Sequence, residues 1–201
     1  VNYQQPGATD HLTREELRDG VLNGLYLFKP STAKGAKLRA QLFGSGSIMN
    51  CVLEAQRMLE ADYGVAADVW CVTSYKALHR DALITERRNR LNPAEAPQQP
   101  YVYRALADAE GVFVAASDYM KIQADALARH LPKPMVALGT DGFGRSEARE
   151  ELRDFFEVDA KHIVLATLHA LAQEGQLDAA KVLEARDALG IEPSKADPYT
   201  D

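Results

Sequence analysis

Two glycine-bearing turns carry the residues whose types and spacing could do chemistry. The first is Gly44-Ser45-Gly46-Ser47, and the second runs from Gly139 to Ser146 through Asp141, Gly142, Phe143, Gly144 and Arg145. Each follows an apolar run and precedes a helical pattern, the position where open α/β sheets keep their sites. Backbone N–H groups at such a junction can face an anion. Ser45 and Ser47 read either as helix caps or, with Gly46, as a phosphate or carboxylate site. The second turn reads as an anion nest assisted by Arg145, with Asp141 orienting a partner group. It reads equally as a tight turn whose Phe143 packs against another subunit or domain. Ser146 stands where a helix cap would stand, ahead of Glu147, Glu150 and Glu151, which suit a positive helix end.

Other chemistries find less support. The dinucleotide fingerprint needs a third glycine where Met49 stands, and Asp68 lies at the wrong end of the next strand for a ribose. His162 and His169 are seven residues apart on one predicted helix. That is about 10 Å along its axis, too far for one metal ion. HExxH is absent, so no metal site is expected. Cys51 and Cys71 form no CxxC pair and lie in apolar segments, which predicts two buried, inert thiols and a reducing compartment.

The elements that must position these residues follow from periodicity. Residues 1–10 read as linker. Thr13 with Glu16 predicts a capping box and a helix to about Asn23, ended by Gly24. Strands are predicted at Leu25–Lys29, at 38–42, at Val69–Val72 covered on both faces, at Val112–Ala116 and at Met135–Leu138. Helices are predicted at 47–62, about 75–90, Tyr101–Ala109, 118–131 capped by Ser117, 146–156, 159–174 and 178–190. Trp70 is expected in the core. The proline loop at 92–100, with Tyr101 and Tyr103, is a candidate interface, because a long loop needs something to lie on. This alternation predicts a parallel sheet between helix layers. The domain division expected is a linker and leading helix at 1–23, one α/β domain at 24–190 and a loose tail at 191–201.

The net charge of −6 argues against nucleic-acid binding, and the dispersed basic residues offer no phosphate track. No apolar run approaches the roughly twenty residues of a membrane-crossing helix. A start at Val1 in a proline- and glycine-bearing stretch reads as a fragment or processed chain.

Several segments together resemble one family. TDGFGRSEAREELRDFFEVDA at 140–160 is similar to the last-domain signature of the homodimeric, thiamine-diphosphate-dependent bacterial pyruvate dehydrogenases. GLYLFK at 24–29, QLFGSGSI at 41–48, YGVAADVWCVTSY at 63–75, LNPAEAPQQPYV at 91–102 and ASDYMK at 116–121 agree in the same order. The resemblance implies a transketolase-type last domain. That is a three-layer α/β/α sandwich whose five-stranded, mostly parallel sheet has its first strand antiparallel, here Leu25–Lys29. It implies a cytoplasmic enzyme that decarboxylates pyruvate on thiamine diphosphate with Mg²⁺ and acetylates a lipoyl group of the acetyltransferase component. It also implies that cofactor, metal and catalytic residues belong to earlier domains, since the GDG–asparagine motif is absent here. This stretch would then be inactive alone and bind no cofactor. Its partners would be the rest of its subunit, the second subunit of a homodimer and the acetyltransferase. The alternatives are a stand-alone small-ligand or nucleotide-binding module, and a docking domain.

Overall fold

A computed structural model describes residues 10–199. Residues 1–9 of the predicted linker at 1–10 lie outside the described residues. Helix α1 spans Arg14–Asn23 and opens with the predicted capping box. Thr13 Oγ1 accepts the Glu16 N–H at 3.2 Å, and Glu16 accepts the Thr13 N–H at 2.8 Å. Thr13→Ala removes one half of this reciprocal pair. It is expected to cost about 1 kcal/mol in denaturant unfolding.

Strands β1 (Leu25–Lys29), β2 (Leu38–Gly44), β3 (Val65–Val72), β4 (Val112–Ala116) and β5 (Met135–Leu138) form one sheet in the order β1-β3-β2-β4-β5. β1 runs antiparallel to β3, and the other neighbours are parallel. Helices α2 (Met49–Asp62), α7 (Ala160–Gln173) and α8 (Ala179–Ala188) cover one face. Their side chains, such as Leu59 and Leu168, pack with Leu42, Val69 and Val114. Helices α3 (Tyr75–Leu91), α4 (Tyr101–Leu106) and α5 (Ile122–Asp125) cover the other with Leu78, Leu106 and Leu127, against Phe43 and Phe113. Helix α6 (Arg149–Phe155) stands apart, with no fully buried residue. The sheet with helices on both faces is the expected three-layer arrangement. Among the described residues no helix is long and apolar enough to cross a membrane.

Local expectations were corrected at several points. The predicted helix at 118–131 is broken into α5 and a 3₁₀ turn at Ala128–His130. Ser117 does not cap it; its Oγ accepts the Tyr119 N–H at 2.9 Å and makes a tight turn instead. Helix α4 stops at Leu106 rather than Ala109. Trp70 is half-buried, and its Nε1–H donates to Gln41 Oε1 at 2.7 Å. Cys71 is only half-buried, whereas Cys51 is buried. The proline loop is anchored to α3, where Asn89 pairs with Gln98 and Arg88 with Glu95, and its residues 92–99 are exposed. Tyr101, proposed as an interface residue, donates its hydroxyl to Leu25 O at 2.8 Å and ties α4 to β1.

Candidate functional site

The two turns converge on one cleft. Helix α2 leaves β2 toward one face of the sheet, while the chain after β4 enters α5 on the other. The neighbouring strands β2 and β4 therefore flank a topological switch point, where loops diverge and open a crevice. Ser45, just after β2, donates to Ser117, just after β4, at 3.2 Å across the floor of this crevice. Ser47 donates to Asp118 Oδ2 at 3.2 Å at its mouth. The loop after β5 closes the third side: Thr140 N–H donates to Tyr119 O at 3.0 Å, and Thr140 Oγ1 donates to Asp118 O at 2.9 Å.

The cleft encloses about 290 Å³. Ser47, Asp118, Thr140, Arg145, Arg149 and Arg153 give it polar walls, and Ile48, Leu152, Phe156 and Val158 an apolar one. Arg149 and Arg153 are four residues apart on α6 and so share a face. Arg153 donates to Ser47 O and Oγ at 3.2 and 3.3 Å, which ties α6 to the first turn. Arg145 stacks on Phe155 at 4.0 Å from the ring centroid. Three arginines thus stand against the single carboxylate of Asp118. The arrangement is suited to holding an anion.

The predicted site residues separate here. Ser47, Gly142 and Arg145 line the cleft. Ser45 lies buried behind it, and Gly46 forms the 3₁₀ turn Gly46–Ile48. Neither serine makes a side-chain cap bond: Ser45 stands at the N-cap of the 3₁₀ turn, which places Ile48 at the start of α2. Ser146 is exposed three residues ahead of α6, whose cap is Ala148. Alanine offers no acceptor, so only Glu151 closes that end, accepting the Ala148 N–H at 3.2 Å. Asp141 is buried and engaged with Lys121, at 3.3 Å to its N–H and 3.4 Å to its Nζ. Phe143 is 82% exposed. Of the turn's three glycines only Gly142 has a positive φ, and a Cβ there would lie 2.1 Å from Pro198 O. Pro198, in the stretch expected to be a loose tail, therefore packs against this turn.

Sequence reasoning missed Arg149, Arg153, Asp118 and Thr140 as cleft residues. The ArgxxxArg spacing was visible, but nothing local shows that α6 crosses to the start of α2.

Among the described residues one group has metal-ligand geometry, Asp154, Asp159 and His162. Its acids already have partners. Asp154 pairs with Lys161 at 2.5 Å and Lys195 at 3.3 Å, and Asp159 caps α7 and accepts from His162 Nδ1 at 2.7 Å. The Lys161 hydrogen bond, then Lys195, holds the Asp154 carboxyl below its ordinary value. Its native form resists protonation more than the unfolded chain does. Its stabilisation is present above the unfolded value, about 3.9, and is lost as pH falls through the lowered native one. Asp154→Asn is expected to lower Tm at pH 7 and to flatten its decline between pH 5 and 2. Thermal melts across that range check this. Burial raises the Cys51 and Cys71 thiols, leaving both protonated and unreactive at neutral pH.

Comparison with known proteins decides the family. The model described as the transketolase-like TK C-terminal domain matches residues 24–159. The chain belongs to this transketolase-like C-terminal domain family. Within it, the chain is 42% identical over 198 residues to the pyruvate dehydrogenase E1 component of Pseudomonas aeruginosa, covering 98% of this chain and 22% of that protein. Identity to the Escherichia coli K12 pyruvate dehydrogenase E1 component is also 42%, covering 98% of this chain and 21% of that one. The chain spans about one fifth of the length of these curated relatives. A transketolase from Pichia stipitis in complex with sedoheptulose-7-phosphate has the same fold: TM-score 0.53 at 15% identity, over 80% of this chain and 20% of that one. This likeness is to the α/β fold described above.

Proposed function

We propose that this chain is the C-terminal domain of a pyruvate dehydrogenase first component. The observation that carries the reading is 42% identity along 98% of the chain to a stretch making up 22% of such a component. The whole enzyme would decarboxylate pyruvate and reductively acetylate a lipoyl group of the acetyltransferase, in the cytoplasm. The domain itself would be structural and inactive alone, completing its subunit and supporting a homodimer. The division at 24–190 with a tail at 191–201 is kept in this proposal, with Pro198 of the tail seated against the Gly142 turn.

Thiamine diphosphate with Mg²⁺ supplies carbanion-stabilising chemistry in such enzymes. The cleft does not fit that group. Mg²⁺ needs several oxygen ligands in octahedral array. The cleft's one carboxylate, Asp118, is hydrogen-bonded by Ser47 and shares its walls with three arginines, which ligate no metal. The cofactor therefore belongs to other domains of the longer protein. Titrating thiamine diphosphate and Mg²⁺ into this chain alone should give no saturable heat, whereas the full-length protein should bind. Tight binding by the chain alone would sink this reading.

Exposed apolar side chains support the interface half of the proposal. Tyr119, Met120 and Ile122 are more than half exposed, on the loop that Thr140 ties to the Phe143 turn. Such a patch suits contact with another domain or subunit.

A further inference from the structure

We propose that the cleft between the 44–47 and 139–146 turns is an anion site for the phosphate group of a small molecule, separate from the thiamine chemistry. The inference rests on the cleft itself and stands whether or not the proposed enzyme identity does. Arg145, Arg149 and Arg153 line the space, and Asp118 is its only acid. Two of the arginines are already oriented, Arg145 by stacking on Phe155 and Arg153 by bonding to Ser47. Oriented guanidinium groups lose less entropy on binding than flexible lysines. The Arg149 side chain has no hydrogen bond or ion pair with another described residue, yet it lines the same space. Its donors remain available to a ligand. Guanidinium forks match phosphate oxygens in bidentate fashion.

Size and lining restrict the ligand. About 290 Å³ lies at the small end of ligand sites, which run from roughly 300 to 1,000 Å³. Ile48, Leu152, Phe156 and Val158 form a wall against which a short organic body could pack. Ser47 and Thr140 add hydroxyls that can donate to an oxyanion or accept from a ligand hydroxyl. The position agrees independently, since crevices at switch points are where open sheets bind ligands. The shared chemistry is a phosphate group, either free or as a phosphomonoester.

Calorimetric titration of the full-length protein tests the site. One arm uses inorganic phosphate and the other AMP as a phosphomonoester probe, each against wild type and the Arg149→Gln/Arg153→Gln double variant. Arg57→Gln, on α2 outside the cleft, controls for the loss of one positive charge and is matched to the single Arg149→Gln variant. Saturable binding is expected in at least one arm, and the double variant should weaken it at least about tenfold, each tenfold being 1.4 kcal/mol. The arm that saturates at the lower concentration identifies the source of the phosphate. Arg149 has no native partner to lose, so the single Arg149→Gln variant should fold and also weaken binding. No saturable binding in either arm, or affinity unchanged in the double variant, would overturn the proposal.

Discussion

Alanine at Gly111 is expected to destabilise the fold by about 3 kcal/mol or more, a larger loss than any surface change in this chain. Gly111, immediately before β4, has φ of +84°, and a Cβ there would lie 1.9 Å from Arg39 O and 2.2 Å from Arg39 C. That obstacle is backbone, not the tip of a mobile side chain. It cannot retreat, because Ala40, next to it, is in register with Val112 of β4. The substitution therefore combines a disfavoured dihedral with overpacking, each costing roughly 1–3 kcal/mol. In a domain of this size, 3 kcal/mol corresponds to a fall in Tm of roughly 6–12 °C. Denaturant or thermal unfolding reads it directly. A loss below about 1 kcal/mol would show that the β2–β4 ladder yields more easily than its register suggests.

Phe113→Ala carries the second large effect, expected at about 3–5 kcal/mol. Phe113, the second residue of β4, is 1% exposed, with its ring edge-on to Phe43 at 5.5 Å and the Lys133 amine 5.9 Å from its centroid. Deleting the ring removes apolar burial, leaves a cavity between the sheet and α4–α5, and forfeits an aromatic pair worth roughly 0.5–1.5 kcal/mol. The residue sits on the face opposite the cluster of α2 and α7, so the loss should not propagate to the cleft. Phe113→Leu, which retains most of the volume, should cost markedly less. Equal losses for both variants would place the stabilisation in the aromatic contact rather than in filled volume.

The architecture was legible because its signals are local. Runs such as Val112–Ala116 are apolar throughout and could only be covered strands. Thr13 and Glu16 mark a helix start by themselves. The errors arose where a partner distant in sequence decides the local shape. Ser117 and Asp118 look like a helix start, but Thr140, more than twenty residues on, bonds to Asp118 O and Tyr119 O. Those bonds hold the chain in a turn and delay α5 to Ile122. Ser146 fails as a cap for a similar reason: α6 starts only at Arg149, beyond a turn packed against Pro198. Trp70 was misplaced because its apolar neighbours hide a polar need, met by Gln41 on β2. The cleft was half visible. Its turns stood out as glycine, serine and arginine, whereas its arginine wall depends on the crossing of α6 over Ser47.

Reductive acetylation of a lipoyl domain from pyruvate, catalysed by the full-length protein with thiamine diphosphate and Mg²⁺, tests the central claim most directly. Turnover by the full-length protein and none by this chain alone is the predicted result. A full-length protein that binds the cofactor but turns over no pyruvate, or acetylation catalysed by this chain alone, would contradict it.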